Sequence, residues 1–271
     1  MKTHRIRFLA LALGAAVLAA AQAYGLDTTD HQAPPPWSMA DEYWGADEMA
    51  AARQAVQADA GGQKNLFLMA DRLEGRSDDG KASLLWDLQG WYGGDLNKLW
   101  IKTEGDHDFD SGELEDAEVQ ALWSRAIAPY FDVQAGVRHD VQPGGITHGV
   151  VGVQGLAPYW FEVDAAAFVS DQGDLTARLE AEYELLLTQR LVLQPRAELE
   201  LAAQRVPERE LGPGFTGLGL GLRLRYEIVP ELAPYVGVAW QSALGETAEM
   251  ARASGTDPNG TAFVAGLRMW F

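Results

Sequence analysis

The stretches TARLEAEYELL at residues 176–186 and LVLQPRAELEL at residues 191–201 decide the fold. In both stretches, polar or charged residues such as Arg178, Glu180 and Glu198 recur at every second position, and most residues between them are apolar. A period of two places the charges on one face of a β-strand, whereas a helix would scatter them around its circumference. The pattern therefore predicts two neighbouring strands with one polar and one apolar face.

The same period continues from Asn65 to the carboxyl terminus. Tilted strands of about 9–12 residues are long enough to cross a bilayer. About twelve strands are predicted, near residues 65–75, 81–92, 97–105, 114–127, 130–139, 147–157, 159–170, 175–187, 190–203, 215–227, 233–244 and 261–271. An even number is typical of bacterial outer-membrane barrels. The predicted fold is all-β, a transmembrane antiparallel up-and-down β-barrel.

The connections between the predicted strands support a membrane barrel. Every second connection is very short, and most of the others are longer and polar, including 106–113, 140–146, 204–214 and 245–260. Outer-membrane barrels have short periplasmic turns and longer outer loops. A soluble β-sandwich, the alternative, has no reason to sort its connections in this way.

The last predicted strand has an unbroken apolar face that ends at the final residue. This face consists of Phe263, Ala265, Leu267, Met269 and Phe271. It predicts a lipid-facing strand that closes the barrel, and it resembles the terminal signal by which bacterial barrels are recognised for assembly.

The first residues have the pattern of a cleaved signal peptide. Lys2, Arg5 and Arg7 precede an apolar run at 8–20, and Ala21-Gln22-Ala23 supplies a small-x-small cleavage site. We therefore expect residues 1–23 to be removed and the protein to be exported to the bacterial outer membrane. A retained anchor, the alternative, would need a longer apolar run.

Residues 24–63 differ in composition from the barrel at 64–271. Pro34-Pro35-Pro36 is followed by an Ala-, Asp- and Glu-rich stretch and then by Gly61-Gly62. This composition predicts a periplasmic arm that is partly helical, from Asp47 to Gln57, or disordered. It has too few apolar residues to form a core.

Charge and cysteine content exclude several functions. The chain has a net charge of −18 and no cysteine. So acidic a protein repels nucleic acid and attracts cations, and neither a disulfide framework nor a thiolate metal site is possible. After the signal, no apolar stretch is long enough for a transmembrane helix.

The period of two also predicts which side chains face the lumen. The acidic members are Asp71, Asp87, Glu104, Asp132, Glu162, Asp164, Glu180, Glu182, Glu198 and Glu200. Basic residues share this face, so one interpretation is a lattice of ion pairs that fills a narrow barrel. The other is a polar passage whose acidic excess favours cations, and both can hold.

Candidate ligands for a soft metal are few. They are His31, Met39, Met49, Met69, His107, His139 and His148. Imidazole suits copper and a thioether suits Cu(I). Three of the histidines lie in or beside two adjacent long loops on the same side of the membrane, where they could converge, and Met69 is expected to face the lumen.

Two other chemistries have weak support. Alternate aspartates in 106–113 resemble the first half of a calcium loop, but the glycine falls one position late. Ser124 and Ser170 lie in strands with no histidine expected at a matching level. No catalytic nucleophile is predicted, and the chain is not expected to be an enzyme; a barrel hydrolase would need a serine and histidine together.

Three segments resemble the copper-resistance protein B family, whose members are outer-membrane proteins of bacterial copper-resistance systems. These are FLMADRLEGR at 67–76, WDLQGWYGGDLNKLWIKTEGD at 86–106 and LWSRAIAPYFDVQAGVRHD at 122–140. The resemblance runs from about Met39 to Phe271. Ten positions match the family motif without being ligands, and they indicate barrel architecture: Asp71, Arg72, Glu74, Trp86, Asp87, Trp91, Asp95, Lys98, Lys102 and Glu104.

The resemblance implies that copper, as Cu(I) or Cu(II), is bound transiently or passed across the outer membrane. It leaves open a structural role, in which the barrel anchors a periplasmic multicopper oxidase or copper carrier without conducting ions. Outer-membrane lipid is the other expected partner. The short arm is not expected to store many copper ions.

Overall fold

The computed structural model describes residues 38–78 and 80–271. The predicted signal peptide at 1–23 and the first part of the arm, residues 24–37 with His31, lie outside the described residues. No helix in the described part of the chain is long and apolar enough to span a membrane.

Two helices precede the barrel. α1 (Asp41–Trp44) and α2 (Ala46–Ala60) are separated by Gly45, whose φ of 87° breaks the helical path. Arg53 of α2 lies 2.6 Å from Asp41, and this hydrogen bond raises the pKa of the guanidinium. α2 has no buried residue. It is longer than the predicted 47–57 because alanines extend it to Gly61.

Twelve strands form the barrel. They are β1 (Asn65–Asp78), β2 (Lys81–Gly93), β3 (Asn97–Asp108), β4 (Leu114–Ala128), β5 (Phe131–Gln142), β6 (Thr147–Ala157), β7 (Phe161–Ser170), β8 (Leu175–Tyr183, continued by Leu185–Leu186), β9 (Leu191–Ala202), β10 (Gly214–Tyr226), β11 (Leu232–Ala243) and β12 (Asn259–Trp270). Each strand pairs antiparallel with its neighbours in sequence, and β12 pairs with β1. The predicted twelve-stranded antiparallel barrel is confirmed.

The final residue completes the seam between the first and last strands. The amide of Phe271 donates to the carbonyl of Leu68 at 2.8 Å, and the amide of Leu68 donates to the carbonyl of Phe271 at 3.0 Å. The side chains of Phe271 and Phe263 are exposed on the outer wall, where the apolar face of β12 was predicted.

The connections differ between the two ends of the barrel. At one end, here called the turn end, they are 94–96, 129–130, 158–160, 187–190 and 227–231. At the loop end they are 79–80, 109–113, 143–146, 171–174, 203–213 and 244–258. The last two contain a 3₁₀ turn (Pro207–Arg209) and α3 (Gly245–Ser254).

Three strands, β1, β3 and β5, each extend three residues beyond their predicted ends. β3 continues to Asp108 and β5 to Gln142, so the loops expected at 106–113 and 140–146 begin later. In β3, Asp106 still faces the lumen and His107 the outside, which maintains the period of two. Polar composition alone had suggested loops there.

Alternation separates the lumen from the lipid face. In β10, Leu220 and Leu222 are exposed on the outer wall, while Arg223 and Arg225 are buried inside. One side of the lumen also holds an apolar cluster of Leu122, Val150 and Phe168. The interior of the barrel therefore combines ionic and apolar packing.

A β-bulge interrupts the alternation in β1. Asp71 and Arg72 both lie opposite Arg268, because the pairing with β12 passes from Ala70 to Leu73. Asp71 binds Arg268 at 2.8 Å, and Arg72 binds Asp87 at 2.9 Å. Two consecutive side chains therefore point into the lumen.

Candidate functional site

The lumen contains two cavities that lie end to end. The turn-end cavity has a volume of about 360 Å³ and the loop-end cavity about 390 Å³. Both linings include Glu104, Glu118, Phe168 and Arg178, so the two cavities meet at this level. Any small ion that crossed the barrel would pass these four side chains.

A belt of ion pairs occupies the level where the cavities meet. Arg178 lies 3.2 Å from Glu104 and 3.2 Å from Glu118. Arg72 binds Glu104 at 2.6 Å, and Arg138 binds Glu118 at 2.8 Å. We call these five residues the central belt. Strands on opposite sides of the barrel contribute to it, so it narrows the lumen by cross-linking its walls.

The turn-end cavity combines aromatic rings with lysine–carboxylate pairs. Lys98 binds Asp132 at 2.8 Å, and Lys102 binds Asp164 at 2.5 Å. The ammonium groups of both lysines also lie within 6.0 Å of the Trp100 ring, a distance at which the ring face attracts a cation.

All ten carboxylates predicted to face the lumen do so. Nine line at least one of the two cavities, and Asp132 pairs with Lys98 inside the barrel. Seven of them have an Arg or Lys partner within 4.0 Å. Among the described side chains, no such partner lies beside the other three, Glu162, Glu182 and Glu200. Both predicted features, an ion-pair lattice and an acidic excess, are therefore present.

The three loop histidines lie on different faces of the wall. His107 packs against Phe109 on the outer side of β3, and His139 is exposed on β5 with its Nδ1 3.0 Å from Thr147 Oγ1. His148, on β6, points into the lumen and is only 3% exposed. The alternation that places His148 inside places His107 and His139 outside, so the three side chains do not converge.

The three methionine candidates lie in two separate regions. Met69 lines the turn-end cavity, as predicted from its parity. Met39 is exposed before α1, and Met49 is half-buried in α2. Within the described residues, no group of three or more His, Asp and Glu side chains is arranged to hold a metal ion.

The bulge hid several lumen residues from sequence reasoning. Parity counted from Met69 places Arg72, Glu74 and Arg76 on the lipid face, but the extra residue turns all three inward. Glu74 is fully buried and accepts two hydrogen bonds from Arg223, each of 2.9 Å, and one from the hydroxyl of Tyr235 at 3.0 Å. A charged run on an expected lipid face was the signal that could have revealed the shift.

A second overlooked group surrounds His148. Its Nδ1 lies 3.8 Å from Oδ2 of Asp140, which is also 3.3 Å from Arg209 of the 203–213 loop. His148 also lies directly opposite Ser170 in the pairing of β6 with β7. The expectation that no histidine lies level with Ser170 was therefore wrong. Ser170 Oγ nevertheless donates to Asp174 at 3.4 Å, and no hydrogen bond joins it to His148.

Of the aspartates at 106–113, Asp108 acts within its own turn. Oδ1 of Asp108 accepts the amides of Asp110 at 2.6 Å and Ser111 at 3.2 Å. This carboxylate therefore caps the turn, a common role of aspartate in loops.

Comparisons with known proteins found similar sequences. Residues 64–271 match the family model described as Copper resistance protein B precursor (CopB). The chain is 45% identical over 208 residues to a Copper resistance protein B homolog from Pseudomonas syringae pv. tomato, and 43% identical over 208 residues to Copper resistance protein B from Escherichia coli. Each alignment covers 76% of this chain and 70% of the relative.

Among solved structures, the NanC porin is similar, with a TM-score of 0.49 and 12% identity over 76% of this chain and 99% of that one. The extent of the family match and the identity to both relatives establish the assignment. This chain belongs to the copper-resistance protein B family.

Proposed function

We propose that this barrel lies in the bacterial outer membrane and passes copper ions through its lumen as part of a copper-resistance system. Copper is then the cargo, not a resident cofactor. Family membership indicates that the transported ion is copper. The twelve-stranded wall with its apolar exterior supports a location in a membrane. The signal sequence at 1–23 would be cleaved on export.

The observation that carries this proposal is the set of three lumen carboxylates that have no basic partner among the described side chains. Glu162 and Glu182 line the turn-end cavity, and Glu200 lines the loop-end cavity. A carboxylate already paired with arginine offers little attraction to a passing ion, whereas an unpaired one raises the local concentration of cations. Sites of modest affinity along a path also allow an ion to leave again.

The arm is assigned to the periplasmic side. Short turns mark the periplasmic end of an outer-membrane barrel, and β1 starts at this end. Met39 and Met49, together with His31, would then meet copper in the periplasm, while the loop histidines would face the medium. Thioether and imidazole groups provide ligands for either oxidation state.

Copper flux into liposomes tests the proposal. We expect proteoliposomes that contain a copper-quenched dye to take up Cu(II). The triple variant Glu162→Gln, Glu182→Gln, Glu200→Gln should slow this uptake about tenfold, because it removes the uncompensated charge but keeps side-chain size.

Glu249→Gln is the matched control, since Glu249 is an exposed acid on α3 outside the lumen. It should leave uptake unchanged. Equal rates for the triple variant and the control would contradict a role for these carboxylates, and no uptake by the wild-type protein would contradict passage of copper.

A second candidate function is docking without conduction. The central belt favours it, because arginine–glutamate pairs narrow the lumen where the two cavities meet. In this case α1 and α2, with Tyr43, Trp44 and Val56 exposed, would hold a periplasmic multicopper oxidase or copper carrier. Capture of such a purified partner by the wild-type protein but not by a variant lacking 24–63, without copper flux, would establish docking instead of passage.

A further inference from the structure

The loop between β9 and β10 folds inward over the loop-end mouth, and residues 203–213 are called the lid below. Val206 is 3% exposed and exchanges two backbone hydrogen bonds with Leu211, of 2.9 and 3.1 Å. Leu211 and Arg209 line the loop-end cavity from above. On its outer side the lid contacts α3, where the amide of Gly212 donates to Thr247 Oγ1 at 2.9 Å.

Arg209 connects the lid to the opposite wall. Its guanidinium lies 3.3 Å from Oδ2 of Asp140 on β5 and 4.0 Å from Oδ2 of Asp116 on β4. In the closed ring of strands, β4 and β10 are on opposite sides of the barrel. The arginine therefore reaches across the mouth, and its ion pairs hold the lid down.

The carboxylate that holds Arg209 also faces an imidazole. Arg138 Nε binds Oδ1 of Asp140 at 2.5 Å, and Oδ2 lies between Arg209, 3.3 Å away, and His148 Nδ1, 3.8 Å away. Asp140 is 0% and His148 3% exposed; among the described residues, Nδ1 has no hydrogen-bond partner, and Oδ2 has only the ion pair with Arg209. Two buried polar atoms that face each other without a hydrogen bond are unusual in a folded protein. The carboxylate oxygen and the imidazole nitrogen can each donate a lone pair to a cation placed between them.

We propose that Oδ2 of Asp140 and Nδ1 of His148 form a Cu(II) site at the loop end, and that an ion bound there displaces Arg209 and releases the lid. The inference deepens the proposed function and rests on it for the identity of the metal. Imidazole nitrogen and carboxylate oxygen are ligands that suit Cu(II). Zn²⁺ binds such atoms at about 2.0–2.2 Å, and at similar distances for Cu(II) the 3.8 Å gap admits one ion.

Cu(II) and the guanidinium of Arg209 compete for Asp140 because both are positively charged. A divalent ion and a guanidinium beside the same carboxylate oxygen repel each other strongly in a partly buried site. Two protein ligands, completed by water, give a site of modest affinity, which suits an ion that must move on. Copper outside the cell would then open the mouth through which it passes.

Electron paramagnetic resonance of Cu(II) added to the full-length protein in detergent tests the ligands. We expect nitrogen hyperfine splitting from one imidazole in the wild-type protein and its loss in His148→Asn. His139→Asn, which alters an exposed histidine on the outer face, is the control and should keep the signal. An unchanged signal in a folded His148→Asn protein would overturn the site.

The lid residue gives a second measurement that does not depend on the folding of the histidine variant. Arg209→Gln removes the competing cation and should lower the Kd for Cu(II), measured by calorimetry, about tenfold. Arg205→Gln removes the same charge from the same lid, but Arg205 pairs with Glu246 on α3, so the Kd should not change. A Kd for Arg209→Gln within twofold of the wild type would overturn the competition.

Release of the lid has its own readout. Limited trypsin cleavage after Arg209, followed by mass spectrometry, should accelerate when Cu(II) is added to the wild-type protein but not to His148→Asn. Cleavage after Arg190, at an exposed turn, reports general access. Equal Arg209 cleavage with and without copper would show that the lid does not respond. Binding at this site without liposome flux would contradict the proposed passage but not the site.

Discussion

At the scale of single residues, buried charge is the main risk to this barrel, and Glu74 shows how it is balanced. Its carboxylate is fully buried, yet it accepts hydrogen bonds from Arg223, Tyr235 and Arg76. Removing one partner of a buried ion pair leaves the other charge uncompensated, which is far more damaging than losing a neutral hydrogen bond. The same reasoning applies to each arginine in the lumen.

We predict that Glu74→Gln destabilises the barrel by about 3–5 kcal/mol, because it leaves Arg223 without its carboxylate. Tyr235→Phe removes one hydrogen bond from the same carboxylate and should cost about 1–2 kcal/mol. Urea unfolding from lipid vesicles, followed by tryptophan fluorescence, measures both. If the two variants lost similar amounts of unfolding free energy, the ion pair would not dominate the stability of this cluster.

At the scale of elements, the period of two predicted all twelve strands, because a wall between lipid and a polar lumen requires alternation at nearly every position. It failed where local geometry departs from alternation. Beyond the bulge at Asp71, parity places Glu74 and its neighbours on the wrong face, and only their charges indicate the shift. The lid could not be predicted either, since its inward fold depends on Asp140 and Asp116, which are distant in sequence.

The seam between β12 and β1 gives a prediction at this scale. Deletion of Phe271 removes both hydrogen bonds to Leu68 and leaves backbone groups unpaired, at about 1–3 kcal/mol per buried group. We expect a smaller fraction of folded barrel in the outer membrane, measured by heat-modifiable gel mobility. Phe271→Ala keeps the backbone bonds and should retain most of the folded protein.

Phe263→Ala is the matched control for loss of an aromatic ring from the same outer face. If the deletion and Phe271→Ala reduced the fraction of folded barrel equally, the ring, and not the backbone pairing, would complete assembly.

At the scale of the whole molecule, charged side chains of the barrel occupy much of its lumen. Acidic composition predicted a cation-attracting interior, but it could not show that most carboxylates are paired or that the pairs concentrate at the central belt. Pairing depends on which strands face each other across the lumen, and alternation within single strands does not contain that information. Glu162, Glu182 and Glu200 could be distinguished from the other acids only in the structure.

The belt gives a prediction about conduction. Arg178 lines both cavities and contacts Glu104, Glu118 and Glu198. Arg178→Ala should widen the junction between the cavities and remove one positive charge from beside three carboxylates, so K⁺ conductance in a planar bilayer should rise at least about twofold with stronger cation selectivity. Arg190→Ala, at an exposed turn, should change neither quantity. Unchanged conductance for Arg178→Ala would place the limiting constriction elsewhere.

The bulge in β1 affects how insertion or deletion of a residue can change the side chains in the lumen. In a regular strand, adding one inward side chain also adds one outward side chain, so a new lumen acid requires a new lipid-facing residue. Asp71 is an exception, because it is an extra inward residue with no outward counterpart. Removal of this one residue would leave the rest of β1 on its present faces and take from Arg268 one of its two carboxylates. The interior charge of the barrel can therefore be adjusted by one unit through insertion or deletion, with the surface that meets the membrane unaltered.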